Sequence, residues 1–145
     1  MGLIREKANK WGVTEKAASV IVVIVLVFAA FMLFEGGFKV RFDETSFQVQ
    51  ATFWSDMTID YADVSSVTWR DDDKPGSRAN GYGSLKLLMG TFDNEEFGRY
   101  ERYSYVGCKS AVVLQTTDGT LVLGGQNEAE TRKLYDELIA RTEEN

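Results

Sequence analysis

The stretch Phe38-Lys39-Val40-Arg41-Phe42-Asp43-Glu44-Thr45-Ser46-Phe47-Gln48-Val49-Gln50-Ala51-Thr52-Phe53 decides the fold class. Phe38, Val40 and Phe42 alternate with Lys39 and Arg41, and Phe47, Val49, Ala51 and Phe53 alternate with Gln48, Gln50 and Thr52. An apolar residue at every second position is the mark of a strand with one face buried and one wet. Asp43-Glu44-Thr45 breaks the pattern and reads as a turn, so the stretch opens an antiparallel sheet.

Working toward the C-terminus, Ser55-Asp56 turns the chain into a strand with Met57, Ile59 and Tyr61, and Ala62-Asp63 leads to another with Val67 and Trp69. Asp71-Asp72-Asp73-Lys74-Pro75-Gly76-Ser77 is the strongest break and holds the single proline. Arg78 to Gly83 reads as loop, and strands resume near Leu85–Met89, Arg99–Val106 and Ala111–Thr116. Asp118-Gly119 is a hairpin signal leading into Leu121–Leu123. Asn127 with Glu130 three residues on forms a capping box. Leu134, Tyr135, Leu138 and Ile139 then form one apolar stripe, predicting a helix from Glu128 to about Arg141. Strands followed by one covering helix predict an α+β domain: a small antiparallel β-sandwich or partly open barrel of about seven strands, closed by the C-terminal helix.

Toward the N-terminus, Ala17–Phe34 carries no charge. Eighteen helical residues span about 27 Å, close to the hydrocarbon thickness, and the run has no polar face at helical spacing. A transmembrane helix is expected. Val27-Phe28-Ala29 would serve as a signal-peptidase site, but cleavage there would leave Phe31-Met32-Leu33-Phe34 near a new terminus, which favours an uncleaved anchor. The expected organisation is a basic arm (1–16), the membrane helix (17–34), a hinge (35–37) and the folded domain (38–142). The arm carries Arg5, Lys7, Lys10 and Lys16, against Lys39 and Arg41 just beyond the helix. Basic flanks stay cytoplasmic, so the arm is expected inside the cell membrane, with Trp11 at the inner interface, and the domain outside.

Composition narrows the chemistry. From Glu35 onward 20 acids outnumber 12 bases, a surface that repels nucleic acid. The chain has no histidine and one cysteine, Cys108. Cys–His and Ser–His nucleophile pairs are therefore impossible, and zinc loses its commonest nitrogen ligand. Asp93, Glu95 and Glu96 sit in a polar stretch that reads as a hairpin loop. No catalytic residue, cofactor or metal is expected, and the chain is read as a non-enzyme. Asp71-Asp72-Asp73-Lys74-Pro75-Gly76 has acids at positions one and three of a calcium loop and glycine at six, but Pro75 and Tyr82 stand where ligands belong. It reads as a solvated acidic turn.

Gly81-Tyr82-Gly83-Ser84-Leu85-Lys86 looks like a phosphate cradle. Such a cradle needs its lysine and hydroxyl at the start of a helix, whereas Leu85-Lys86-Leu87-Leu88 reads as a strand, with Leu85 inward and Lys86 outward. No nucleotide is expected, and Gly81, Gly83 and Gly90 are assigned to positive φ or close backbone approach. A set of aromatic and arginine residues, Arg78, Tyr82, Phe97, Arg99, Tyr103 and Tyr105, is a candidate partner surface; its aromatics serve equally well as core.

Taken in order, Tyr61-Ala62-Asp63-Val64-Ser65-Ser66-Val67, Arg70, Asn80-Gly81-Tyr82-Gly83, Gly90-Thr91-Phe92, Gly98, Arg102-Tyr103-Ser104-Tyr105 and Val112-Val113-Leu114-Gln115-Thr116 with Asp118-Gly119 resemble the bacterial PH-like domain proteins, small membrane-anchored chains. The resemblance covers roughly Phe38 to Leu138 and implies a PH-like barrel. It supplies no catalytic residues. The PH name suggests phosphoinositide binding, but the first turn, Asp43-Glu44-Thr45, has the wrong sign for a headgroup. The expected function is a non-catalytic protein-binding or scaffolding module with an unknown protein partner, the membrane being reached through Ala17–Phe34. The alternative is a ligand-sensing or lipid-contacting domain at the membrane surface.

Overall fold

The computed structural model describes residues 2–144, with side chains from residue 12 onward. The expectation for Trp11, and the side chains of Arg5, Lys7 and Lys10, lie outside the described residues. The chain divides into two compact units, one ending at Glu35 and one beginning at Gly36.

The first unit is one helix, α1 (Gly2–Phe34). Helix therefore extends through most of the stretch read as a separate arm. Its segment Gly12–Phe34 is 23 residues long with a mean hydropathy of 3.0, long and apolar enough to cross a membrane. Side chains from Val20 to Phe28 are exposed all round the helix.

The second unit begins with a three-stranded antiparallel sheet, β1 (Phe38–Phe42), β2 (Ser46–Ala51) and β3 (Met57–Asp60), in that spatial order. Val40 pairs with Val49 and Phe42 with Phe47, so the apolar sets of β1 and β2 share one face. A short 3-10 turn, Tyr61–Asp63, leads to β4 (Val64–Arg70). Then follow β5 (Ser77–Gly83), β6 (Leu87–Asn94), β7 (Gly98–Tyr105), β8 (Ala111–Thr116), β9 (Gly119–Leu123) and the helix α2 (Glu128–Glu143). These six strands form a second sheet in the order β4-β8-β9-β7-β6-β5.

Of the expected sandwich or partly open barrel of about seven antiparallel strands, the barrel, the strand number and the wholly antiparallel pairing are corrected. The described residues hold nine strands, they lie in two sheets not closed into a barrel, and β7 pairs with β9 in parallel. The parallel pair follows from the path of the chain. β8 is laid down one strand-width away from β7, and the Asp118-Gly119 turn sends β9 back into the gap. Alternation reports which face a residue occupies, and it is silent on which strand lies beside which.

The core lies between the sheets. Phe47 and Val49 meet Leu87, Met89, Tyr103, Val112, Leu114, Leu121 and Leu123, and α2 adds Leu138. Leu138 is fully buried, worth about 2 kcal/mol relative to exposure. The helix begins at the predicted cap, with the Glu130 carboxylate reaching one residue beyond the Asn127 amide of a capping box. The Asn127 side chain accepts from the Glu130 amide at 2.9 Å, while the Glu130 carboxylate accepts from the Gln126 amide at 3.0 Å. Along the helix, Tyr135 meets Trp69 edge-on at 5.8 Å, and the Arg132 guanidinium stacks over the same indole at 3.7 Å.

The glycine stretch is strand rather than loop. Gly81 and Gly90 face each other across β5 and β6 with φ of 134° and 129°. A Cβ at either would collide with the backbone of the opposite strand. Gly83 has no positive φ, contrary to one of its two expected roles, but lies close against the Arg78 guanidinium. Leu85, expected inward, is 64 % exposed at the β5–β6 turn, and Lys86 is half-buried.

Candidate functional site

The stretch that looks like a phosphate cradle forms the end of β5 and the β5–β6 turn. The Ser84 hydroxyl accepts from the amides of Lys86 and Leu87, at 3.2 and 3.1 Å. The oxygen is thus engaged by its own turn, and no helix begins there to offer free amides.

The acidic turn is also absorbed by the fold. Arg102 on β7 points away from the main core, into a smaller apolar cluster of Phe92, Tyr100, Ala111, Val113 and Val122. Its guanidinium donates to the Asp73 carboxylate at 2.6 Å and to the Ser104 hydroxyl at 3.2 Å. The two charged side chains are 3 % and 7 % exposed. Asp73 is therefore not the solvated residue expected of this turn. It ties the 71–76 segment to the six-stranded sheet, with the Asp73 amide donating to the Lys109 carbonyl and the Gly76 amide to the Tyr100 hydroxyl. Asp71 is occupied too, accepting from the Trp69 indole at 2.7 Å. Among the described residues no three metal-ligating side chains converge.

Two of the three carboxylates of the β6–β7 hairpin, Asp93 and Glu96, are held in ion pairs. Asp93 pairs with Arg99 at 3.2 Å. Glu96 pairs with Arg70, whose hydrogen bonds hold its carboxyl below the usual carboxylate range. The Cys108 thiol lies 3.5 Å from the Ser110 carbonyl and 3.5 Å from the Thr131 hydroxyl.

Of the six residues of the candidate surface, Tyr82, Tyr103 and Tyr105 pack in or against the main core and Phe97 against the smaller cluster. Tyr103 is 1 % exposed and belongs to the core. Its hydroxyl donates to the Ser55 carbonyl at 2.7 Å, and its pKa is pushed up to about 12, chiefly by burial and then by the charges of Glu101 and Asp56. Phe97 lies under Arg70 and against Tyr100 in the β6–β7 hairpin. Arg99 makes its ion pair on the same hairpin. Arg78 and Tyr82 are on β5, the Tyr82 ring 5.2 Å from Phe53. Tyr105 alone reaches an open site.

That site is a groove of about 780 Å³ between β1 and the first half of α2. Phe38, Val40 and Phe42 form one wall, Leu134 with the charged Glu130, Lys133, Asp136 and Glu137 the other, and Tyr105 lines the groove with Gly125 and Gln126. The wall is firmly backed. Phe38 packs on Tyr103 at 6.0 Å and on Tyr105 at 5.3 Å. At the far end Arg141 stacks over Phe42 at 5.2 Å and donates to the Asp43 carbonyl, tying α2 to the β1–β2 turn. The Tyr61 hydroxyl donates to the same carbonyl at 2.9 Å, and burial raises its pKa. The helix packs mainly on β4, β8 and the 3-10 turn, which leaves the flank toward β1 open.

Sequence reasoning missed this groove except for Tyr105. Its strand wall was legible as an alternating apolar set, but alternation does not reveal that β1 is an edge strand with a helix standing off from it.

The comparisons with known proteins add one match: residues 38–138 fit the family model described as Bacterial PH domain. No curated protein and no solved structure matches the chain significantly.

Proposed function

Because the chain belongs to the bacterial PH domain family, we propose that it is a membrane-anchored, non-catalytic module that binds another protein. The observation that carries this reading is the open groove between β1 and α2, whose strand wall is apolar and whose border holds the charged Lys39, Glu130, Lys133, Asp136 and Glu137. An apolar centre with a charged rim is the composition of protein-binding patches. Lipid headgroup recognition finds less support, since the β1–β2 turn is acidic and Asp43 already pairs with Arg41 at 3.4 Å. The helix Gly12–Phe34 serves as the anchor. Four bases before the apolar run against two just after it support a reading with the arm in the cytoplasm and the domain outside.

Affinity capture with the full chain in detergent tests the reading. The parent should retain a defined protein that Val40→Asp and the surface variant Lys133→Glu both lose or weaken. Binding of the full chain's domain to anionic vesicles, with no protein retained, would overturn it in favour of a lipid reader. Protease digestion of a C-terminal tag on intact cells tests the orientation, and protection of the tag would reverse it.

A further inference from the structure

The hydrogen bonds of β1 show which way its backbone points. The Thr52 amide donates to the Gly37 carbonyl and the Asp43 amide to the Ser46 carbonyl, both at 2.9 Å. Odd-numbered residues here therefore bond to β2. Antiparallel alternation then turns the amides and carbonyls of Phe38, Val40 and Phe42 to the other edge. β1 is the end strand of its sheet, and among the described residues no backbone group bonds to that edge. The same three residues form the strand wall of the groove. An unpaired row of donors and acceptors thus runs beside a groove whose strand side is apolar and whose helix side carries Leu134 among Glu130, Lys133, Asp136 and Glu137, an arrangement that can receive an added strand.

The charge pattern selects what fits. Lys39, at the rim of the groove, and Arg41 are exposed and alternate with the apolar residues of β1, opposite the neutral Gln50 and Gln48 of β2, and Arg41 makes a surface ion pair with Asp43 at 3.4 Å. The rest of the domain surface is dominated by acids, so these two bases are a local exception. A second copy of β1 is a poor occupant. Antiparallel self-pairing about Val40 would set Lys39 against Arg41 twice, and like charges directly opposite destabilise a pair. A strand with Asp or Glu at those positions gains where the copy loses.

We propose that β1 binds an extended segment of a partner protein as an added strand. Its apolar residues lie opposite Phe38, Val40 and Phe42 and enter the groove, and its alternating acidic residues lie opposite Lys39 and Arg41. About five residues of peptide match the five of β1, at about 3.4 Å each. This rests on the protein-binding reading above and gives it a mode and a partner chemistry.

The test uses the full chain in detergent micelles and a blocked peptide, Val-Glu-Val-Glu-Val-Glu-Val. Amide hydrogen exchange at Phe38, Val40 and Phe42 should slow at least about tenfold on saturation, as solvent-facing amides become bonded. The lysine counterpart, Val-Lys-Val-Lys-Val-Lys-Val, should bind about tenfold more weakly, the effect of two cross-strand charge pairs. The double variant Lys39→Glu, Arg41→Glu, both at exposed positions, should reverse that preference. An acidic peptide N-methylated on its edge-facing amides should not bind, since its side chains remain but its donors are gone. Equal affinity for acidic and basic peptides, or undiminished binding of the N-methylated one, overturns the proposal. Protection of the same amides that rises with protein concentration alone also overturns it, in favour of a second copy. If a captured protein is lost on Val40→Asp while no β1 amide gains protection from it or from the peptides, strand addition fails and the protein-binding reading survives.

Discussion

Two regions of the domain place charged residues beside an apolar surface, and they resolve the situation in opposite ways. On the second face of the six-stranded sheet, Arg102 and Asp73 are almost wholly buried and bonded to each other. Every side-chain polar atom buried among the described residues has a partner. Along β1, Lys39 and Arg41 stay exposed, and the strand's outer backbone edge meets an open groove. A buried charge must be paired within the chain, because an uncompensated one is costly. An exposed charge on an edge strand is under no such demand, and the surface Arg41–Asp43 pair, at 3.4 Å, is weak enough to give way to a partner. The first region is architecture, and the second is where recognition can occur.

The largest test bears on the helix that borders both the core and the groove. Leu138→Asp puts a carboxylate on the buried flank of α2 and should lower stability by about 4 kcal/mol or more. Chemical unfolding of the full chain in detergent measures it. A melting temperature within a degree or two of the parent would mean that the buried flank does not hold the helix in place, and the contrast between its closed and open sides would fail.

Asp73→Ala comes next. It strands Arg102 in an apolar cluster and should cost about 3–5 kcal/mol. Adding Arg102→Met should recover most of that loss, because the uncompensated charge is gone. A double variant as unstable as the single one would show that the 71–76 segment matters for reasons other than the ion pair.

Tyr103→Phe tests the backing of the groove wall. At neutral pH it removes one hydrogen bond, at a cost of about 1 kcal/mol. At high pH the sign changes the ranking. The Tyr103 pKa is raised to about 12 in the folded chain, against about 10 unfolded. Burial favours the neutral phenol, so its contribution is complete below pH about 10 and is lost as pH rises through about 12. The parent should therefore lose stability over that window more steeply than the phenylalanine variant, as followed by denaturant titration at each pH. Parallel profiles would place the phenol in contact with water.

The smallest effect is expected at Lys39→Glu, which should shift stability by no more than about 0.5 kcal/mol. Thermal unfolding is sufficient to see it. A larger loss would mean that β1 uses this base within the domain and would remove the distinction drawn between the two regions.

Much was legible from local pattern. The alternation from Phe38 to Phe53, the Asp118-Gly119 turn, the Asn127–Glu130 capping box and the unbroken apolar run of α1 all express backbone geometry, in which neighbours along the chain decide the outcome. These features predicted strands, a hairpin, a closing helix and a helix able to span a membrane. They did not predict that β9 would slip between β8 and β7, or that β1 would end a sheet with α2 standing off from it, because strand neighbours are chosen by how apolar faces meet in space. Nor could they place Asp73, which looks like any acid in a turn until Arg102, 29 residues away, lies beneath it. The sequence alone determined periodicity and therefore the elements. Which charge is buried and which edge is left open depend on contacts between distant residues, and these exist only once the two sheets have packed.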